Sequence, residues 1–130
     1  MSASPWSQLI DLARLAQTRD LAAMGAATQA AGAVQARIEA LEAQILAEGH
    51  LGATEAPELG AQADRWRQSA LLRRAGMEQE LRASEEVIAE RRAIAARATA
   101  RLEALKLLEK SEARAARRLA ERRAEAAVIR

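Results

Sequence analysis

The fold is decided by residues 49–57, which read Gly-His-Leu-Gly-Ala-Thr-Glu-Ala-Pro. Glycine and proline are the strongest interruptions of regular structure, and only here, with Gly60 just beyond, do they cluster. The sequence on both sides is rich in alanine, leucine, glutamate and arginine, which favour helix. We therefore predict two helices, at about 5–48 and about 57–130, joined by a loop at about 49–56.

The only two prolines, Pro5 and Pro57, mark where these helices begin. Proline suits the first turn of a helix, because its missing N–H has no partner there and its φ is already helical. Ser4 is a good N-cap for the first helix, and the second helix is expected to start near Thr54 or Pro57.

Composition excludes several classes of protein. The 130 residues include no Phe, Tyr or Cys, so a sheet, a disulfide framework and a zinc finger have little to be built from. About a quarter of the chain is alanine, which buries little area, so a globular core is not expected. The fold class predicted is all-α.

Apolar residues recur at the spacing of a coiled-coil seam on both helices. On the first helix the seam reads Trp6, Ile10, Ala13, Gln17, Asp20, Met24, Ala27, Ala31, Val34, Ile38, Leu41 and Ile45. On the second helix it reads Met77, Leu81, Ser84, Ile88, Arg91, Ala95, Ala98, Leu102 and Leu105. We predict one domain over residues 1–130, a long antiparallel two-helix coiled-coil hairpin.

The two arms of this hairpin are predicted to be unequal. At the rise of an α-helix they would span roughly 65 Å and 110 Å. A turn near residues 52 and 53 would place Trp6 near Thr99 and Ile38 near Arg67. Pairing would then stop at about residue 100, so that about thirty residues of the second helix overhang without a partner.

The predicted overhang is also the basic end of a chain whose formal net charge is +2. Six basic side chains of the overhang fall on one arc of the helix, opposite an apolar arc. They are Lys106, Lys110, Arg114, Arg117, Arg118 and Arg122. This arc is either a solvated face or a partner-binding surface.

Three further residues are candidates for partner binding. Leu12 and Leu15 fall off the seam, so either the register slips and they turn inward, or they form an exposed apolar patch. Trp66 either packs against the first helix near Ile38–Glu42 or is an exposed anchor.

Catalysis is not expected, since no motif for a nucleophile, a phosphate loop or a carboxylate pair is present. The single histidine, His50, lies in the predicted loop and cannot hold a metal alone, so neither metal nor cofactor is expected. The start of the sequence lacks the pattern of a secretory signal, and no apolar run reaches membrane-spanning length. We expect a cytoplasmic protein.

Two stretches carry a resemblance to a known family. The first stretch comprises Leu9–Arg14, Arg19–Ala22 and Ile38–Glu42. The second stretch comprises Ala98, Leu102–Leu105, Leu108–Lys110 and Arg122–Glu125. The first resembles the opening helix, and the second the basic C-terminal helix, of the FliJ family of flagellar export proteins. The resemblance implies a non-enzymatic stalk of the type III export apparatus, monomeric when alone and at most peripheral to the membrane. Its implied partners are the hexameric export ATPase and the export-gate membrane protein.

Two other functions remain open from the residues themselves. The basic helix could bind nucleic acid, although glutamates are interspersed and no aromatic residue is available there for base stacking. The overhanging helices could also pair between chains in a homo-oligomeric scaffold. Nucleic acid is not the expected partner.

Overall fold

The computed structural model describes residues 5–52 and 57–129, and only the backbone at 50–52 and 57–59. It contains two helices, α1 (Pro5–Gly52) and α2 (Pro57–Ile129), which pack against each other. Each proline is the first residue of its helix, as predicted. No strand occurs in the part of the chain that is described. Ser4 and Thr54, the predicted N-cap and alternative start, lie outside it.

α1 continues further than the sequence indicated. It ends at Gly52, so Gly49 and His50 belong to its last turns and not to a loop. Within the described residues no glycine has a positive φ, so these glycines extend the right-handed helix without ending it. The rest of the predicted loop, residues 53–56, lies outside the described residues.

The contacts between the helices divide the chain into two units. The first unit is Met1–Ala22 with Arg92–Arg130, and the second unit is Ala23–Arg91. In the first unit, Ile10, Ala13 and Leu102 form a buried cluster against which Trp6 and Leu105 pack. Buried residues of the second unit are Ala31, Val34, Ile38, Leu41 and Ala70.

The predicted seam positions lie on the inner side of the helices. All twelve seam residues of α1 are buried or half-buried, and so are eight of the nine on α2. The exception is Arg91, which is exposed because a guanidinium loses its hydration when buried without a partner. On α2 the buried side also extends back to Ala70, before the first predicted position, Met77.

The predicted pairing of residues is wrong. In the first unit, Trp6 Nε1 donates a hydrogen bond to Glu112, and Thr99 instead accepts one from Gln17. In the second unit, Arg37 pairs with Glu80, so Ile38 does not lie beside Arg67. The α2 residue that contacts a given α1 residue therefore lies about twelve positions closer to the C-terminus than a turn at residues 52 and 53 would place it. The side chains that meet in the seam set this register, whereas the turn only restricts which registers are possible.

Ion pairs join the helices of the second unit at the edge of the seam. Arg37 Nη1 lies 3.4 Å from Glu80 Oε1, and Arg74 Nη2 lies 3.0 Å from Glu42 Oε1. Arg74 Nε is also 3.2 Å from Glu78 Oε1, but its N–H is not directed for a hydrogen bond. All these side chains are partly exposed, so each pair contributes at most about 1 kcal/mol.

Two glycines within α1 are open positions. A Cβ added at Gly25 or Gly32 would meet no atom within 4 Å, so neither glycine serves close approach of the helices. Alanine loses less backbone entropy than glycine on entering a helix. We expect Gly25→Ala and Gly32→Ala each to raise the free energy of unfolding by about 1 kcal/mol, measured by urea denaturation. The reverse change at exposed Ala33, Ala33→Gly, should lower it by a similar amount, and no gain at either glycine would contradict the geometry.

Candidate partner-binding surface

Leu12 and Leu15 are exposed in the first unit. Their accessible fractions are 63% and 68%, so the register does not slip to turn them inward. Gln17 stays in the seam because its side-chain amide donates a 3.0 Å hydrogen bond to the Thr99 hydroxyl. With that polar group satisfied, Ile10 and Ala13 fill the neighbouring layers and leave the two leucines outside.

α2 continues beyond the last contact described with α1. Trp6, in the first two turns of α1, bonds to Glu112, and every described residue from 113 to 129 is exposed. Among the described residues, the segment of α2 without a partner on α1 is therefore 113–129, shorter than the thirty residues predicted. We call it the free segment.

The basic side chains are mostly gathered on one face of α2. On an open surface Lys110, Arg114, Arg117 and Arg118 lie together with Leu107, Ser111 and Glu121, and Arg122 follows beside Arg118 and Leu119. All these residues belong to one helix, so the surface is a face and not a cavity. Lys106 differs, because it is half-buried and lies 3.6 Å from Glu103.

Within the described residues, the arginines of the free segment have no carboxylate partner. Among the ion pairs of the described chain, none involves a side chain between 113 and 129. Five arginines and two glutamates lie in this segment, so its formal charge is positive. Unpaired surface charges of one sign attract partners of the opposite sign and raise association rates.

Trp66 is not brought together with these residues. It lies in the second unit and is half-buried. Packing near Ile38–Glu42 was one of its predicted environments, but Glu42 pairs with Arg74, eight residues further along α2. Its neighbour Arg67 instead approaches Gly49. Of its two predicted environments, packing near Ile38–Glu42 is therefore wrong, and Trp66 is half-buried rather than fully exposed.

Sequence reasoning missed other exposed apolar side chains of the first unit. They are Leu9, Leu21, Leu107, Val128 and Ile129. For Leu9 a signal existed, because it precedes Leu12 and Leu15 at the three-residue spacing of one helix side. Arg123 was also missed, since it falls on the seam side and not on the basic arc.

Neither a metal site, nor a membrane-spanning helix, nor a known relative assigns a function to this surface in the described part of the chain. In the described part of the chain, no group of three or more His, Asp or Glu side chains could hold a metal ion, and the side chain of His50 lies outside that part. No described helix combines the length and the apolar character that crossing a membrane requires. No protein-family model, curated protein or solved structure matches this chain.

Proposed function

We propose that this chain is a non-enzymatic stalk or adaptor of the bacterial flagellar type III export apparatus. In this proposal it engages the ring of the export ATPase with the end that carries the free segment, and links the ring to the export gate. It acts in the cytoplasm, and at most at the surface of the membrane. The proposal starts from the resemblance of residues 9–42 and 98–125 to the FliJ family.

The proposal includes the fold of a single antiparallel coiled-coil hairpin. In the first unit the partners of Trp6 and Gln17 are Glu112 and Thr99, so partner numbers fall along α2 as residue numbers rise along α1. The second unit has the same order, from Arg37 with Glu80 to Glu42 with Arg74. This order and the burial of heptad positions support antiparallel pairing.

The observation that carries the proposal is the free segment itself. A helix that ends its pairing at Glu112 and continues fully exposed to Ile129 offers all its faces to surrounding protein. Leu12 and Leu15 lie exposed in the same unit and add apolar contact area. Insertion into a protein ring would cover both surfaces and offset the loss of freedom of the helix.

The experiment adds the purified chain to a purified hexameric export ATPase and measures the rate of ATP hydrolysis. We expect the intact chain to raise the rate severalfold. A variant with Arg117→Glu and Arg118→Glu should lose most of this effect, because the reversed charges would repel the surface that the arginines contact. Both arginines are exposed, so the variant should fold as the original chain does.

The matched control reverses two exposed arginines of the second unit, Arg73→Glu and Arg82→Glu. This variant has the same net charge as the first and should stimulate the ATPase as the intact chain does. An unchanged rate of hydrolysis with and without the intact chain would exclude the proposed function. Equal loss in both variants would show that net charge, and not the free segment, is responsible.

A further inference from the structure

The free segment has a second face, opposite its basic arc. Positions 116, 119, 123 and 126 continue the heptad spacing of the α2 seam. Before residue 113 the same side of α2 is covered by α1, where Ile10 and Ala13 contact Leu102. From residue 113 onward this side of α2 is uncovered. Leu119 is 50% exposed there, at a position that a paired helix would bury.

Arg123 interrupts this otherwise small, apolar stripe. On a helix, a side chain reaches those three and four positions away. For Arg123 these are Leu119, Ala120, Ala126 and Ala127, so its own helix supplies no carboxylate. Arg123 also forms no ion pair with the rest of the described chain. Covering the stripe with an apolar surface would leave this guanidinium buried and unpaired, which is strongly unfavourable.

A protein surface that covers the stripe must therefore bring its own carboxylate. We propose that the face formed by Ala116, Leu119, Arg123 and Ala126 binds an acidic amphipathic helix of another protein. A glutamate or aspartate of that helix pairs with Arg123, and its apolar side packs on Leu119 and the alanines. This inference deepens the proposed function and rests on it, since it names the chemistry of the protein that meets the free segment.

Small residues favour a helix as the occupant. Alanine at positions 116 and 126 allows a second helix to approach closely, as Ala13, Ala95 and Ala98 are buried in the paired part of the first unit. The free segment has 17 residues and spans about 25 Å, enough to hold between four and five turns of a partner helix. Acidic side chains on that helix would also be attracted by the surplus of arginine.

Three other occupants fit the face less well. A lipid surface requires large apolar side chains on the inserted face, and this one is mainly alanine with an arginine at its centre. Nucleic acid phosphates would use the opposite, arginine-rich arc and leave the stripe exposed. A second copy of the free segment would bring two positive surfaces together, and Glu112 at its edge already accepts the hydrogen bond from Trp6.

The test measures binding of fluorescein-labelled synthetic peptides to the intact chain by anisotropy. The probes are amphipathic helices of about 20 residues, long enough to cover the free segment, with leucine and alanine on one side and glutamate at the edges. In a set of such peptides the glutamate that faces the stripe is moved by one heptad at a time. A peptide with lysine in place of glutamate is the control. We expect at least one acidic peptide to bind, more weakly as salt is raised, and the lysine peptide not to bind.

The matched variants are Arg123→Glu in the stripe and Arg73→Glu at an exposed position of the second unit, which change the net charge equally. We expect Arg123→Glu to weaken binding by about tenfold or more, because it places two carboxylates face to face, and Arg73→Glu to weaken it far less. Leu119→Glu should also abolish binding. Circular dichroism confirms that each variant keeps its helix content.

Several results would overturn the inference. They are no binding by any acidic peptide, equal binding of the lysine peptide, or equal effects of Arg123→Glu and Arg73→Glu. Arg123-dependent binding of duplex DNA or anionic vesicles in preference to the peptides would assign the face to a different partner, and Arg123-dependent dimerisation in sedimentation would assign it to a second copy. ATPase stimulation without peptide binding would overturn this inference alone, whereas peptide binding without stimulation would overturn only the proposed function.

Discussion

Replacing Leu102 with alanine is expected to lower the free energy of unfolding by about 2–4 kcal/mol. Leu102 is 3% exposed and is the α2 member of the cluster with Ile10 and Ala13. Its neighbours in the cluster are carried by two packed helices, which cannot close fully onto the space that the leucine leaves. The loss therefore includes both the transfer of the leucine side chain from water and the unfilled cavity.

Urea denaturation followed by circular dichroism gives the overall loss, and hydrogen exchange shows where it acts. We expect faster exchange in the first turns of α1, because this cluster packs them against α2. The matched control is Leu107→Ala on the same helix, since Leu107 is exposed and should change stability by less than about 0.5 kcal/mol. Equal effects of the two changes would mean that Leu102 does not lie in a core.

The second large effect is expected from making a residue bigger. Ala70 is 0% exposed, the most buried of the core residues in either unit. A leucine there adds three carbon atoms at a position that solvent does not reach, so neighbouring atoms would have to move. We expect Ala70→Leu to lower the free energy of unfolding by about 1–3 kcal/mol.

Ala75→Leu is the control for this change, because Ala75 lies on the exposed side of the same helix. Alanine and leucine differ little in helix propensity, so the control should change stability by only a few tenths of a kcal/mol. Thermal unfolding of both variants measures these two changes in stability. Higher stability of Ala70→Leu would show that the second unit has an unfilled cavity at this position.

Local features of the fold could be predicted from residues alone. Pro5 and Pro57 begin the two helices, and the heptad positions from Trp6 to Ile45 lie on the inner side of α1. Each of these depends on neighbours within one or two turns, where helix geometry is the same in any context. The end of α1 was less predictable, because glycine permits a helix to end but does not require it.

The candidate surface was predictable in part. The arc of Lys110, Arg114, Arg117 and Arg118 follows from helical spacing, and it is exposed as expected. The sequence did not indicate that Lys106 would be half-buried beside Glu103, nor which environment Leu12 would have. Both depend on how far α1 reaches along α2, which no local pattern contains.

The sequence by itself determined that this protein is two helices, which of their sides are apolar, and that positive charge collects towards residue 130. Only the tertiary structure decided which residues of the two helices face each other. This register also decides that the described pairing reaches Glu112 and leaves 113–129 free. Helix formation depends on contacts within a turn, so it can be deduced from the order of residues. A heptad pattern, by contrast, presents a similar face every seven residues, so the register is chosen by contacts between residues far apart in the chain, such as Gln17 with Thr99.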